Sequence, residues 1–234
     1  MESLEEYLQT RAGGAILDIA CGGGAFARRL VDGLASYASV TGLDIADKRD
    51  EFLGNVDGHD VTFVASAIAD YLRGDHGFDT ISVSNALHHL EGVGDILRDL
   101  RAIANADAVV IIHEMYADGL TPPQQTQRDL HALIARLHLG MGEYHREAYT
   151  RGDIHGFIEG AGLEVAHAFD APHDDAPVEK GPDGFAGRAG SVIADAYPDG
   201  APADVSTEYE RLKARAVEIG VARPPQMTLV CAYE

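Results

Sequence analysis

The chain is poor in three residue types: it has no tryptophan, two cysteines (Cys21 and Cys231) and three lysines (Lys48, Lys180 and Lys213) among 234 residues. Two cysteines give no disulfide framework, which points to a reducing, cytoplasmic setting. No run approaches the roughly 18 apolar residues of a membrane helix. The acidic start Met1-Glu2-Ser3-Leu4-Glu5-Glu6 lacks the apolar core of a signal peptide. Positive charge is scarce as well, with 18 basic residues against 38 acidic ones and a formal net charge of −20. A surface of that sign repels phosphate backbones and anionic lipids. The expected partner is therefore a small-molecule substrate, with no nucleic acid and no membrane, and a homodimer allowed. At this length one core suffices, so 1–234 is read as a single α/β domain.

What the sequence does have is glycine at one telling place. The run Ile16-Leu17-Asp18-Ile19-Ala20-Cys21-Gly22-Gly23-Gly24-Ala25-Phe26-Ala27 reads as a buried strand that breaks into three glycines and then a helix. Glycine lets a backbone approach a ligand closely, and the first N–H groups of a helix are free to meet acceptors. Twenty residues after Gly24, a second apolar run ends in Asp44, a carboxylate placed to accept from two ribose hydroxyls. The pair predicts a nucleoside cofactor across the ends of the first two strands of an open sheet.

Gly22 to Ala27 also satisfies the loose G-x-G-x-x-G/A dinucleotide pattern. Asp18 decides against it. A pyrophosphate gains nothing from a carboxylate four residues before Gly22, whereas a ligand carrying an ammonium group gains a great deal. Leu17-Asp18-Ile19-Ala20-Cys21-Gly22-Gly23-Gly24 resembles the first motif of the class I S-adenosylmethionine-dependent methyltransferases, of the small-molecule type. The resemblance spans about 10–170 and the final 25 residues. It implies a doubly wound, seven-stranded, mostly parallel Rossmann-like sheet with a helical cap and an antiparallel last strand. It implies S-adenosyl-L-methionine as cofactor and methyl transfer to an unidentified small molecule as the reaction. Carried over by position, Asp18, Ala20, Gly22 and Gly24 line the methionine end, Asp44 takes the ribose, and Ile45 packs on the adenine. Ser66 and Ala67 fall near the adenine amino group, where a carboxylate is usual and a hydroxyl is a weaker acceptor. Asn85, in Ser84-Asn85-Ala86-Leu87-His88-His89-Leu90, completes the cofactor set. Two other readings stay open: a pericyclase- or isomerase-like protein that binds the same cofactor without transferring methyl, and an NAD-dependent oxidoreductase.

Periodicity predicts helices over 3–11, 24–35, 46–53 and 92–105, and strands over 15–20, 39–44, 61–64, 78–83 and 108–112. Strands alternating with helices at this spacing imply a parallel sheet. Thr121-Pro122-Pro123-Gln124 is a capped helix start, and Thr150 begins another helix that ends at Gly160 and Gly162. A strand over 163–169, a helix over 208–219 and a strand over 227–233 close the pattern. Residues 115–150 are read as the cap. Residues 170–206, rich in Asp, Ala, Pro and Gly and without period, are read as an insertion or loop over the site.

The chain carries eleven histidines, many of them near the predicted ligand crevice. His88 and His89 leave the fourth strand, His113 and Glu114 the fifth, and His131, His138 and His145 follow in the cap. Imidazole and carboxylate together suit a general base near neutral pH or a metal. No H-x-x-x-H or C-x-x-C spacing is present, so no metal is expected. His89, His113 and Glu114 are the candidate catalytic residues, as base or as substrate contacts.

Acidity with so few lysines fits adaptation to high salt, and a GC-rich coding sequence would also favour arginine over lysine. Melting temperature separates the two. Salt adaptation gives a strong rise between low and molar salt, because screening relieves self-repulsion. A melting curve that ignores salt leaves coding composition as the reason.

Overall fold

A computed structural model describes residues 3–170, 178–181 and 183–233. Among them one sheet holds seven strands: β1 (Ala15–Ile19), β2 (Ser39–Asp44), β3 (Val61–Ala65), β4 (Phe78–Ser84), β5 (Ala104–Met115), β6 (Leu163–Asp170) and β7 (Gln226–Tyr233). Their order is β3-β2-β1-β4-β5-β7-β6. β7 runs antiparallel to both of its neighbours, and the remaining pairs are parallel. This is the sheet that the sequence predicted.

Parallel strands need crossovers, and these supply helices to both faces. α1 (Leu4–Gln9), α2 (Ala25–Gly33) and α3 (Arg49–Asn55) cover one face. There Leu8, Phe26, Leu30 and Phe52 pack on Ile16, Val40, Ile111 and Val230. α5 (Val93–Asp99) and α7 (Arg151–Gly160) cover the other, where Leu97, Ile154 and Ile158 meet Leu17, Ile81, Ile112 and Leu229. Adjacent residues of β5, such as Ile111 and Ile112, thus enter different cores, and its unbroken apolar run is explained. A short α4 (Ile68–Tyr71), too brief to show a period, follows β3.

β5 begins at Ala104, earlier than its apolar run. α5 stops at Asp99, a 3-10 turn covers Leu100–Ala102, and Phe78 N then donates to Ile103 O at 2.9 Å. Pairing with β4 therefore starts before the apolar stretch and shifts register once, between Phe78 and Thr80.

The cap differs most from the expectation. α6 (Pro122–Gly140) starts at Thr121 with the predicted capping box, Thr121 N donating to Gln124 Oε1 at 2.9 Å. The predicted insertion holds a helix of its own, α8 (Phe185–Ala196), and α9 (Ala203–Glu218) begins inside it. Residues 171–177 and 182 of that insertion lie outside the described residues. Ala186 and Ala189 of α8 are buried against Leu130, Leu133 and Leu212 in a third apolar cluster. Alanine and glycine carry too little apolar weight to print a period, yet they let two helix backbones come close.

Gly42 of β2 shows how tightly the first face is packed. A Cβ there would stand 2.4 Å from the Phe52 ring and 2.9 Å from Cys21 Sγ. Gly42→Val should destabilise the protein by about 1–3 kcal/mol, measured as a lower urea midpoint with an unchanged slope.

Candidate active site

The parallel strands end together, and the turns that leave them form a crevice. After β1 the backbone enters the left-handed region at Ala20 (φ 51°), Gly22 (φ 50°) and Gly24 (φ 82°). The turn closes with Gly24 N donating to Cys21 O at 2.9 Å. Nothing stands within 4 Å of the place a Gly22 Cβ would take, so the turn keeps open space beside its backbone. Asp44, at the end of β2, fastens this turn. Its Oδ2 accepts from Gly22 N at 2.9 Å and its Oδ1 from Ala46 N at 3.0 Å. Each oxygen retains a lone pair for a further donor. Beside it Ile45 is 80% exposed, an apolar side chain with no protein cover. Ser66 N donates to Asp44 O at 2.9 Å, and its hydroxyl donates to Ala67 O at 3.2 Å.

Asp18 lies deeper. Ser82 Oγ on β4 donates to its Oδ1 at 2.6 Å, while its Oδ2 is buried without a hydrogen bond. Burial raises the carboxyl to about 7; the Ser82 bond and the nearby Ala27 amide oppose the rise, and the charge of Asp44 adds to it. A buried acceptor with no donor, next to an open glycine turn, fits a ligand that brings a cationic N–H. The sequence thus placed Asp18, Ala20, Gly22, Gly24, Asp44, Ile45, Ser66 and Ala67 along one edge, and the structure brings them together there.

Beyond the end of β4 lies a cavity of about 740 Å³ whose walls include Asn85, His88, His89, His131, His145 and Gln226. Asn85 takes a left-handed conformation (φ 48°), its N donating to His113 O at 2.7 Å and its Oδ1 accepting from Gln226 Nε2 at 2.7 Å. Gln226 was not anticipated, since nothing local links it to a residue 141 positions away. Arg188 of α8 also lines the cavity, and no local pattern marks it.

Glu114 points into protein rather than into the cavity. It is 1% exposed and accepts from Leu87 N (2.8 Å) and Met115 N (3.0 Å), with His88 Nδ1 at 3.2 Å. His113, one residue earlier, faces the opposite side of the sheet. Its ring stacks on Phe26 at 5.2 Å and its Nδ1 meets Thr228 Oγ1 at 2.8 Å, and it is not among the cavity walls. Burial, then the charge of Arg29, lowers it to about 4. Alternation along a strand makes this split unavoidable.

His131, His138 and His145 meet as a chain. His145 Nε2 lies 3.0 Å from His131 Nε2, and its Nδ1 2.9 Å from His138 Nδ1. Burial first, then the neighbouring imidazoles, lowers His131 to about 3 and His145 to about 2. His89, exposed at the cavity mouth, is lowered to about 4 by the same causes. His89, His131 and His145 are uncharged at neutral pH.

The Asp18 carboxyl yields a pH test in the ligand-free protein. Its folded value, about 7, stands above the usual 3.8. The folded state holds the extra proton between those values, so this contribution to stability is present below about 4 and lost as pH rises through 7. Asp18→Asn removes the ionisable group and should raise the melting temperature at pH 8, with the gain shrinking toward pH 4. An equal shift at both pH values would count against the raised carboxyl.

A family model described as a methyltransferase domain matches residues 1–168. A search of curated proteins gives no match. The chain is similar to the crystal structure of a cyclopropane-fatty-acyl-phospholipid synthase-like protein from Lactobacillus casei, at 17% identity and a TM-score of 0.70, covering 98% of this chain and 88% of that one. It is similar to the YcgJ protein from Bacillus subtilis, at 14% identity and a TM-score of 0.64, covering 99% and 97%. It is also similar to a mycolic acid cyclopropane synthase complexed with SAH and CTAB, at 16% identity and a TM-score of 0.56, covering 97% and 82%. At these identities the structural likeness speaks for the fold.

Proposed function

The chain belongs to the methyltransferase-domain family, whose cofactor is S-adenosylmethionine, and from that premise we propose methyl transfer to an O, N, S or C atom of a small molecule held in the histidine-lined cavity. One observation carries the reading. Asp18 and the glycine turn lie at the end of β1, and Asn85, just past the end of the neighbouring β4, lines a cavity large enough for a second small molecule. The NAD alternative is set aside by the family match and by the antiparallel β7 between β5 and β6.

When bound, the cofactor supplies an electrophilic sulfonium methyl. The chain's residues then have mainly to align and to hold protons. The free lone pairs of Asp44 would accept from the ribose hydroxyls, and Ile45, Ser66 and Ala67 would hold the adenine. The orphaned oxygen of Asp18 would take the ammonium group, and the open space at Gly22 would admit the methionine end. Asn85, pinned by Gln226, marks the passage to the acceptor. His89 offers an uncharged imidazole lone pair to the acceptor's proton. Glu114, which has no free face, positions His88 rather than touching the acceptor. His113 supports the wall behind Phe26 and Asn85.

Two measurements test this. Asp44→Ala should weaken cofactor binding at least tenfold by calorimetry, since a hydrogen bond to a charged group is worth about 1.5–3 kcal/mol. Incubation of small-metabolite extract with deuteriomethyl cofactor should give a product heavier by three deuteriums, and His89→Asn should slow its formation with cofactor affinity nearly intact. Cofactor binding with no label transfer to any metabolite would favour a protein that uses the cofactor without donating its methyl.

A further inference from the structure

We propose that His88, His89 and His145 form a binding site for a late first-row divalent ion such as Zn2+, with an open coordination position facing the cavity. One ring nitrogen from each of these residues lies within 4.8 Å of the other two. The rings of His88 and His89 are 4.3 Å apart, those of His89 and His145 4.1 Å, and those of His88 and His145 5.5 Å. Zn–N bonds of about 2.0–2.1 Å arranged tetrahedrally put ligand nitrogens about 3.4 Å apart. Side-chain rotation of roughly an ångström closes the set.

The scaffold around these rings is built to hold them. His88 and His89 sit on a 3-10 turn at the end of β4, and Arg146 N donates to His88 O at 2.9 Å, which pins the loop carrying His145 beside that turn. Glu114 is held in place by two backbone amides and keeps lone pairs beyond them, so it accepts the Nδ1 proton of His88 and leaves Nε2 with its lone pair. A buried carboxylate behind one nitrogen of a histidine is the usual support for metal ligation by the other. His145 has imidazole partners on both of its nitrogens, His131 and His138. An ion takes the place of one, and the other then orients the ring.

The donors name the ion. Among the described residues the group consists of three imidazoles and no carboxylate, a set that suits zinc, copper, nickel or iron and does not suit magnesium or calcium. Three protein ligands leave the fourth position to solvent or substrate, the arrangement of catalytic rather than structural zinc. With the ion bound, the lone pair of His89 is given to the ion and no longer serves as a base; neutral ligands leave the ion its full charge, so the cavity ligand it favours is a deprotonated oxygen or sulfur. That last clause rests on the methyl-transfer reading, because it makes the acceptor a thiol, phenol or similar acid; the ion site itself does not. It also departs from the metal-free expectation drawn from spacing, since the ligands come from two segments 56 positions apart and form no short motif.

The test uses the untagged, full-length protein without cofactor, stripped with chelator and titrated with Zn2+ and, separately, Co2+. The expected result is one ion per chain and, for Co2+, the intense visible absorption of a tetrahedral nitrogen site, with no binding of Mg2+. Glu114→Gln should weaken binding about 10- to 100-fold, and His145→Ala should abolish the cobalt spectrum. His89→Asn, at an exposed position that tolerates truncation, should weaken binding in a protein whose melting curve is unchanged, while His59→Ala, remote from the site, should bind as the parent does. No stoichiometric binding by the parent protein, or binding that survives both His145→Ala and His89→Asn, would overturn the site and leave the rings as a hydrogen-bonded imidazole chain. Since no turnover enters these readouts, a failed methyl-transfer assay leaves the result untouched.

Discussion

A carboxylate out of contact with water is tolerated only if protein donors replace the water it has lost. Glu114 meets that condition with two backbone amides and an imidazole, and these donors come from two parts of the acceptor side, the turn after β4 and the end of β5. Leu87 belongs to the turn after β4, Met115 is the last residue of β5, and His88 faces the cavity. The one anion therefore fixes the ends of two neighbouring strands relative to each other and sets the proton position on a cavity residue. Removing it would leave those donors buried and unpaired, a loss on the order of 3–5 kcal/mol by analogy with broken buried ion pairs.

On the cofactor side the corresponding anions are Asp18 and Asp44, and they differ in how completely they are served. Asp44 is met by Gly22 N and Ala46 N and retains capacity outward. Asp18 has one strong donor and one oxygen with none. An unsatisfied buried oxygen costs stability in the empty protein and is repaired by a ligand that brings a donor. The cofactor edge is thus less stable than its surroundings until it is filled, a common trade between folding and function.

How much of this was legible in the sequence followed from how local each signal is. The glycine turn after β1, the place of Asp44 at the end of β2 and the capped helix starts at Thr121 and Thr150 are set by residues within a few positions of one another, and the structure has each where the sequence puts it. Alternating strands and helices implied the parallel sheet, and the resemblance to the methyltransferases implied its antiparallel last strand. α8 was missed because Ala186, Ala189 and Gly190 show no apolar period, although they are the residues that let it dock near α6 and α9. His113 and Glu114 were read as a pair, and strand alternation sends them to opposite faces. The partners of His145 and Asn85 lie too far along the chain for any pattern to join them.

The place of β7 in the sheet has a consequence for how the chain is made. β5 and β6 do not pair with each other; β7 lies between them and pairs with both, and it follows them in the chain by more than fifty residues. On the ribosome, β1 to β5 emerge and can form a five-stranded half-sheet, since neighbouring domains and elements fold in the order they appear. The edge of β5, with Val110, Ile111 and Ile112 on it, then stays unpaired until the last strand is released. An open apolar edge of that kind is a template for pairing with another chain. The nascent protein is most exposed to misassembly late in its synthesis, and the α6, α8 and α9 cluster, made in the interval between β5 and β7, is the structure that accompanies it through that wait.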